Sequence, residues 1–319
     1  MTKIIAELCQ NHNGDFNILK EMVHAASESG AAIVKIQSML SKDLTHRQRF
    51  DFGNKDSLGN IKTIKRPYKS EYERLKKLDL DDGMHYEFLE LCKKYKVIPM
   101  TTIFSRSRLQ FLQTLNMDII KVSSFDCSSH VLIKELADSK FKDIIVSTGC
   151  SFDDEIIKTT NILKKKKLSL MHCISIYPTP INQINLNRIN YLRSLCSSVG
   201  FSDHTNVSEH SIDASISALF YEIDYLERHF TILPQDKTKD GAVSLNPEQF
   251  KKLVAFSKFS KKDLQDYLKD KVPNFELMKG AEKRKLSNIE LLNRDYYRGR
   301  FASKDKEGNW IYNWEDNAI

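Results

Sequence analysis

Long apolar runs are missing from this sequence. None approaches the roughly 18 residues that a membrane-spanning helix needs. The N-terminal stretch from Met1 to Leu8 is broken by Glu7, so it does not read as a signal peptide. These two absences set the expectation of a cytoplasmic protein with no membrane partner. Paired cysteines are missing too. Cys9, Cys92, Cys127, Cys150, Cys173 and Cys196 stand singly, without a CxxC pair. That argues against a disulfide framework and against a cysteine zinc site. No GxGxxG follows any candidate strand, which leaves a doubly wound nucleotide-binding sheet as the weaker alternative. There is no internal repeat and no low-complexity tract.

What is present is ordinary globular composition: 319 residues, 41% hydrophobic and 29% charged. This suits one large α/β domain, or one domain with a small appendage. The net charge is +7. The excess sits in lysine-rich stretches such as Lys164 to Lys167 and Lys261-Lys262, without interleaved aromatics. A nucleic-acid partner is therefore not expected. A positive field also suits an anionic substrate.

Eight short β-rich runs alternate with amphipathic segments: 4–8, 32–39, 97–104, 119–124, 143–149, 168–174, 199–205 and 225–231. Most are continuously apolar until polar residues appear at their C-terminal ends. That is the pattern of parallel strands buried on both faces. Between them, Asp15 can cap a helix carrying Ile18, Met22 and Ala25, with Gly30 at its end, and Asn246-Pro247 opens another. Ser128, Ser151 and Ser208 are candidate caps for further helices. Eight β-then-α units in roughly 270 residues is the arithmetic of an α/β (β/α)8 TIM barrel. The expected division is a barrel over 1–271 and a C-terminal extension over 272–319. A polar insertion spans residues 41 to 82, with a helical pattern near 70–75. Long insertions of this kind often shape a substrate pocket.

On such a barrel, chemistry gathers where the strands end. Those ends carry Glu7, Lys35, Gln37, Thr102, Phe104, Lys121, Ser124, Asp126, Ser147, Ser175, Tyr177, Ser202, His204, Glu227 and His229. His204 and His229 end the seventh and eighth strands. Neighbouring strands lie about 4.8 Å apart, so two imidazoles there can share one divalent ion acting as a Lewis acid. Lys35 and Lys121, on buried strands, each need an anionic partner or a lowered pKa. Three readings stay open for them. They hold the phosphate and carboxylate of a small dianion, one is a Schiff-base nucleophile, or they form plain salt bridges to Glu7, Asp126 or Glu227. The same three carboxylates are candidate acid/base groups.

Several of these residues fall in recognisable strings. Ala6-Glu7-Leu8-Cys9-Gln10-Asn11-His12-Asn13-Gly14 resembles the AEIxxNHNG opening of the sialic-acid synthase family. Lys35-Ile36-Gln37, Ser147-Thr148-Gly149, His172 to Pro180, Gly200 to Thr205 and Glu227 to Thr231 resemble its VKFQ, STG, HCTxxYPTP, GxSDHT and ERHFT motifs. The resemblance runs in order from Ile4 to Pro247. It implies a phosphoenolpyruvate-dependent condensation with an amino-sugar aldehyde, giving a nine-carbon keto-acid sugar. It also implies Mn2+ or Mg2+ on His204 and His229. Lys35, Thr102, Lys121, Ser124, Ser147, Ser175 and Ser202 would hold phosphoenolpyruvate. Glu7, Gln37, Phe104, Asp126, Tyr177 and Asp240 would line the sugar and reacting-water side. Two departures stand out: Ser175 replaces a common Asn, and Asp126 a common Glu one methylene longer. The family usually carries a C-terminal antifreeze-like domain that gives an arginine to the partner subunit's site. Tyr296 to Ser303 resembles the start of that domain. The roughly 16 residues that follow are too few for an independent core. Arg298 or Arg300 is the candidate replacement, and a homodimer is the expectation. A Schiff-base pyruvate aldolase, and a sugar-binding protein without catalysis, are the competing functions.

Overall fold

The period-2 alternation of the apolar runs becomes the two faces of a closed barrel in the structure, a computed structural model that describes residues 1–319. The strands are β1 (Lys3–Glu7), β2 (Ile33–Ser38), β3 (Ile98–Ile103), β4 (Ile119–Val122), β5 (Asp143–Ser147), β6 (Lys167–His172), β7 (Ser198–Asp203) and β8 (Tyr225–Phe230). Each pairs in parallel with the next, and β8 pairs with β1 to close the ring. A helix follows every strand. This is the expected (β/α)8 architecture.

Outward-facing residues such as Ile4, Ala6, Val34, Ile36, Val122 and Leu226 pack on Leu19, Met22, Val23, Leu132, Phe250 and Leu253 of the helices. Inward-facing residues build a separate plug at the N-terminal end of the barrel: Ile5, Ile33, Met100, Ile119, Ile145, Met171 and Tyr225. The remaining strand, β7, contributes Gly200 to this layer. A Cβ there would lie 2.7 Å from the Tyr225 carbonyl oxygen and 3.1 Å from Met171 Cε, so the absent side chain makes room for its neighbours.

Helix starts follow the sequence signals in part. Asp15 accepts from the Asn17 amide at the start of α1 (Phe16–Glu28). Asn246 and Gln249 form a reciprocal capping box on α3 (Pro247–Phe256). The three serines expected to cap do not. The cap positions fall on Ser129, Phe152 and Asn206. The Ser151 hydroxyl instead donates to the Ser124 carbonyl, and Ser208 donates to the Asn206 side chain, which takes the cap itself.

The insertion holds a short antiparallel hairpin, Asn54–Lys55 with Ile61–Thr63, and the helix α2 (Tyr68–Lys76). Residues after 271 cross the C-terminal face of the barrel. Val272 and Met278 belong to the main core. Beyond them α4 (Asn288–Tyr297) lies over the strand ends. Asn293 donates to the Ser175 carbonyl at 2.8 Å, and Arg294 pairs with Glu155 at 2.5 Å. A final hairpin, Ala302–Lys304 with Trp310–Tyr312, follows. No helix is long and apolar enough to cross a membrane.

Candidate active site

Two residues beyond the plug, one pleat along every strand, the barrel interior turns polar. Ile5 is followed by Glu7, Ile33 by Lys35, Met100 by Thr102, Ile119 by Lys121 and Ile145 by Ser147. Met171 is followed by Cys173, Gly200 by Ser202 and Tyr225 by Glu227. All eight polar positions line one cavity of about 310 Å³ at the C-terminal end of the barrel. The apolar plug is its floor.

Four of those eight carry charge, and all four are buried. Register places Glu7 beside Lys35 on adjacent strands, and their side chains touch. Across the barrel, Lys121 Nζ lies 2.5 Å from Glu227 Oε2, and Glu227 Oε1 lies 3.7 Å from Lys35 Nζ. Lys35 also donates to Thr102 Oγ1 at 3.1 Å, and Ser202 donates to Glu227 at 3.1 Å. Burial pulls the Lys35 ammonium down to about 7, with Glu227 opposing and Lys121 reinforcing that pull. The touching Glu7 carboxylate is a further counter-charge that favours the ammonium. Burial alone would raise the Glu227 carboxyl, but the charges of Lys121 and Lys35 hold it at about 2. Glu227 is thus a counter-ion for the lysines and a poor base. The salt-bridge alternative for both lysines is realised in full.

One pleat further out stand Cys9, Gln37, Phe104, His204 and His229, all on the same cavity. The imidazoles of His204 and His229 meet edge to face, with ring centroids 5.4 Å apart, and the Tyr177 ring lies tilted against His204 with centroids 4.2 Å apart. Burial holds His204 down at about 4 and His229 well below the usual histidine range. Both rings are therefore neutral, as metal ligands must be. His204 Nδ1 is 3.1 Å from the Ile174 carbonyl oxygen, which turns Nε2 inward; His229 Nδ1 is buried with no hydrogen-bond partner. Two neutral imidazoles, one with an unsatisfied buried nitrogen, fit a divalent cation.

Asp126 sits on the β4 loop at the cavity wall. Its carboxylate accepts from Ser123 at 3.1 Å, Ser129 at 3.0 Å and Asn313 at 2.9 Å. Burial nonetheless raises its pKa, with those hydrogen bonds opposing. Ser124 and Asp240 line the cavity as well. Ser175 does not. It lies beyond the end of β6, where the two-residue alternation has lapsed, and its buried hydroxyl has no partner. Cys173, two positions earlier, takes the place on the wall. Counting pleats from Met171 finds it.

Much of the remaining wall has no strand-end signal, because it comes from the insertion and the extension. Arg66, Glu71 and Arg74 enter from the first, and Tyr297, Gly299, Arg300 and Phe301 from the second. Leu44 bridges to Phe301, and the Thr45 amide donates to the Arg300 carbonyl at 2.9 Å. Arg300, one of the two candidate arginines, reaches the cavity from within the same chain; Arg298 instead stacks on Trp314.

The sequence model of the NeuB family matches residues 22–269. The chain belongs to the NeuB family. It is 31% identical to the N,N'-diacetyllegionaminic acid synthase of Campylobacter jejuni serotype O:2, over 84% of this chain and 79% of that one. The pseudaminic acid synthase of C. jejuni serotype O:23/36 is 28% identical, over 98% of this chain and 85% of its own. Among solved structures, the sialic acid synthetase of Leptospira borgpetersenii shares the fold, with a TM-score of 0.69 at 24% identity, covering 92% of this chain and 90% of that one.

Proposed function

We propose that this protein joins phosphoenolpyruvate to an N-acetylated hexose aldehyde, N-acetylmannosamine or a 2,4-diacetamido-trideoxyhexose, to give a nonulosonic acid and phosphate. The observation that carries this reading is the layer of Lys35, Lys121, Glu7 and Glu227 on an apolar floor, one pleat below two neutral imidazoles. Synthases of this kind among the relatives support it.

Lys35 and Lys121 offer two ammonium groups to a phosphate and a carboxylate, with hydroxyls from Thr102, Ser124, Ser147 and Ser202 around them. Glu7 and Glu227 neutralise the lysines until the anion arrives. Gln37, Phe104, Tyr177 and Asp240 face the acceptor. A divalent cation on His204 and His229, Mn2+ or Mg2+, would supply Lewis-acid polarisation of the aldehyde oxygen. C3 of phosphoenolpyruvate forms the bond to the aldehyde carbon, water adds at C2, and phosphate departs with C–O cleavage. Asp126 takes the proton from that water. Its raised pKa makes it a better base than Glu227. The barrel over 1–271 carries these groups, and the 272–319 extension supplies one wall. The family's dimer remains part of this reading.

Phosphate release from phosphoenolpyruvate, measured with each acceptor and with simple aldoses, tests the proposal. Turnover with an N-acetylated hexose, lost on chelation and in His204→Ala, is the expected result. Lys35, drawn down to about 7, keeps a Schiff-base aldolase in view. Borohydride trapping of a pyruvate adduct, with turnover surviving chelation, would establish that reaction instead. Ligand binding with no turnover for any acceptor would mark a binding protein.

A further inference from the structure

Cys9 stands two residues past the end of β1, buried against the site, and the chemistry proposed above gives it no part. Its Sγ lies 2.7 Å from Asp240 Oδ2. His229 Nδ1 lies 3.8 Å from the same oxygen. One donor atom from each of these three residues falls within 4.8 Å of the other two. Metal bonds to sulfur and nitrogen of about 2.0–2.3 Å place donors sharing an ion roughly 3–4.5 Å apart. Shifts of a few tenths of an ångström therefore bring the three onto one ion.

A neutral thiol donating to Asp240 would account for the short sulfur–oxygen contact alone. It leaves His229 Nδ1, on a ring only 6% exposed, without any partner. That nitrogen is the one 3.8 Å from the Asp240 carboxylate. Gln37 adds a second-layer contact, donating from Nε2 to Cys9 Sγ at 3.3 Å. An amide donor to sulfur is what stabilises a metal-bound thiolate.

We propose that Cys9, with His229 and Asp240, ligates the cation of this site, and that the site therefore takes a thiophilic divalent ion such as Zn2+, Co2+ or Fe2+ in preference to Mg2+. The inference rests on the metal-assisted reading of the cavity. On loading, the S–H bond breaks, a sulfur–metal bond forms and the proton leaves to solvent. A thiolate ligand favours zinc, cobalt and ferrous ions, whereas oxygen ligands favour magnesium. Asp240 is thereby assigned to the metal as well as to the acceptor wall.

The test is optical titration of the metal-free full-length protein with Co2+. A thiolate-to-cobalt charge-transfer band in the near ultraviolet is expected, absent in Cys9→Ser and retained in His204→Ala. X-ray absorption of the zinc-loaded unmutated protein should show one sulfur neighbour at about 2.3 Å, a measurement that needs no variant to fold. Cobalt binding without the band, or zinc with only nitrogen and oxygen neighbours, overturns the assignment. In that event phosphate release can persist and the synthase reading stands. A band with no phosphate release supports the ligand assignment and overturns the synthase reading instead.

Discussion

Arg300 sets its guanidinium on the carboxylate of Glu71, and through that contact the C-terminal extension closes onto the insertion above the cavity. Arg74, one turn from Glu71 on α2, grips the same carboxylate with two hydrogen bonds of 3.0 Å. Two segments far apart in sequence thus share one half-buried ion cluster on the acceptor side. Arg300 is 7% exposed and its Nε has no partner, so it holds donors in reserve for a ligand.

Replacing Arg300 by alanine should therefore weaken the acceptor and spare phosphoenolpyruvate. A lost charge-assisted hydrogen bond costs about 1.5–3 kcal/mol, which is a KM increase of roughly 10- to 100-fold. Steady-state kinetics with each substrate varied in turn check this. An equal rise in both KM values would show that Arg300 only props up the fold.

The same cluster predicts an acid-sensitive stability. Burial raises the Glu71 carboxyl, but Arg74 and Arg300 overrule it and hold it at about 2. A folded-state pKa depressed below the usual 4.5 contributes stability at neutral pH, on the order of 1–2 kcal/mol once solvent screening of this half-buried cluster is counted. The contribution is complete above the unfolded value and is lost as pH falls from there toward the folded one. Urea unfolding should show Glu71→Gln less stable than the parent near pH 7. The gap should narrow below about pH 4.5 and largely close near pH 2.

Lys121 carries a different expectation. Replacing it with methionine removes one counter-charge from Glu227 while the carboxylate stays buried. Breaking a buried pair costs about 3–5 kcal/mol; Lys35 at 3.7 Å softens this toward the lower end. Adding Glu227→Gln should recover much of that stability but none of the affinity for phosphoenolpyruvate. Chemical denaturation and calorimetric titration of the single and double variants separate the two effects.

The barrel was legible because its strands announce themselves twice, by continuous apolar character and by polar ends. The eight observed strands fall inside or within one residue of the expected runs. The site was legible for the same reason. Period 2 carries each inward apolar residue to an inward polar one, so Glu7, Lys35, Lys121 and Glu227 meet. Alternation carries no information where the period stops. Ser175 lies past β6 and points away, while Cys173 faces in. Arg66, Arg74 and Glu71 were hidden because no local pattern in the insertion says which strand end it folds over. Arg300 was named only beside Arg298, since a two-residue spacing in an irregular segment does not fix a direction.

Gly200 makes the floor of the cavity a test of this layering. It is the only member of the inner layer without a side chain, and β7 brings it against the Tyr225 carbonyl and the end of Met171. Met171 Cε can swing aside, but a backbone oxygen 2.7 Å from an added Cβ cannot move without disturbing the β7–β8 pairing. Gly200→Ala should therefore cost about 1–3 kcal/mol through overpacking. Because Ser202 and Glu227 ride one pleat above on those two strands, the shift should also displace Glu227 from Lys121. A variant with a lowered unfolding temperature and weaker phosphoenolpyruvate binding, but unchanged acceptor KM, is the expected result. Thermal unfolding with substrate titrations measures all three. A variant that lost stability alone would mean that floor and site are mechanically independent.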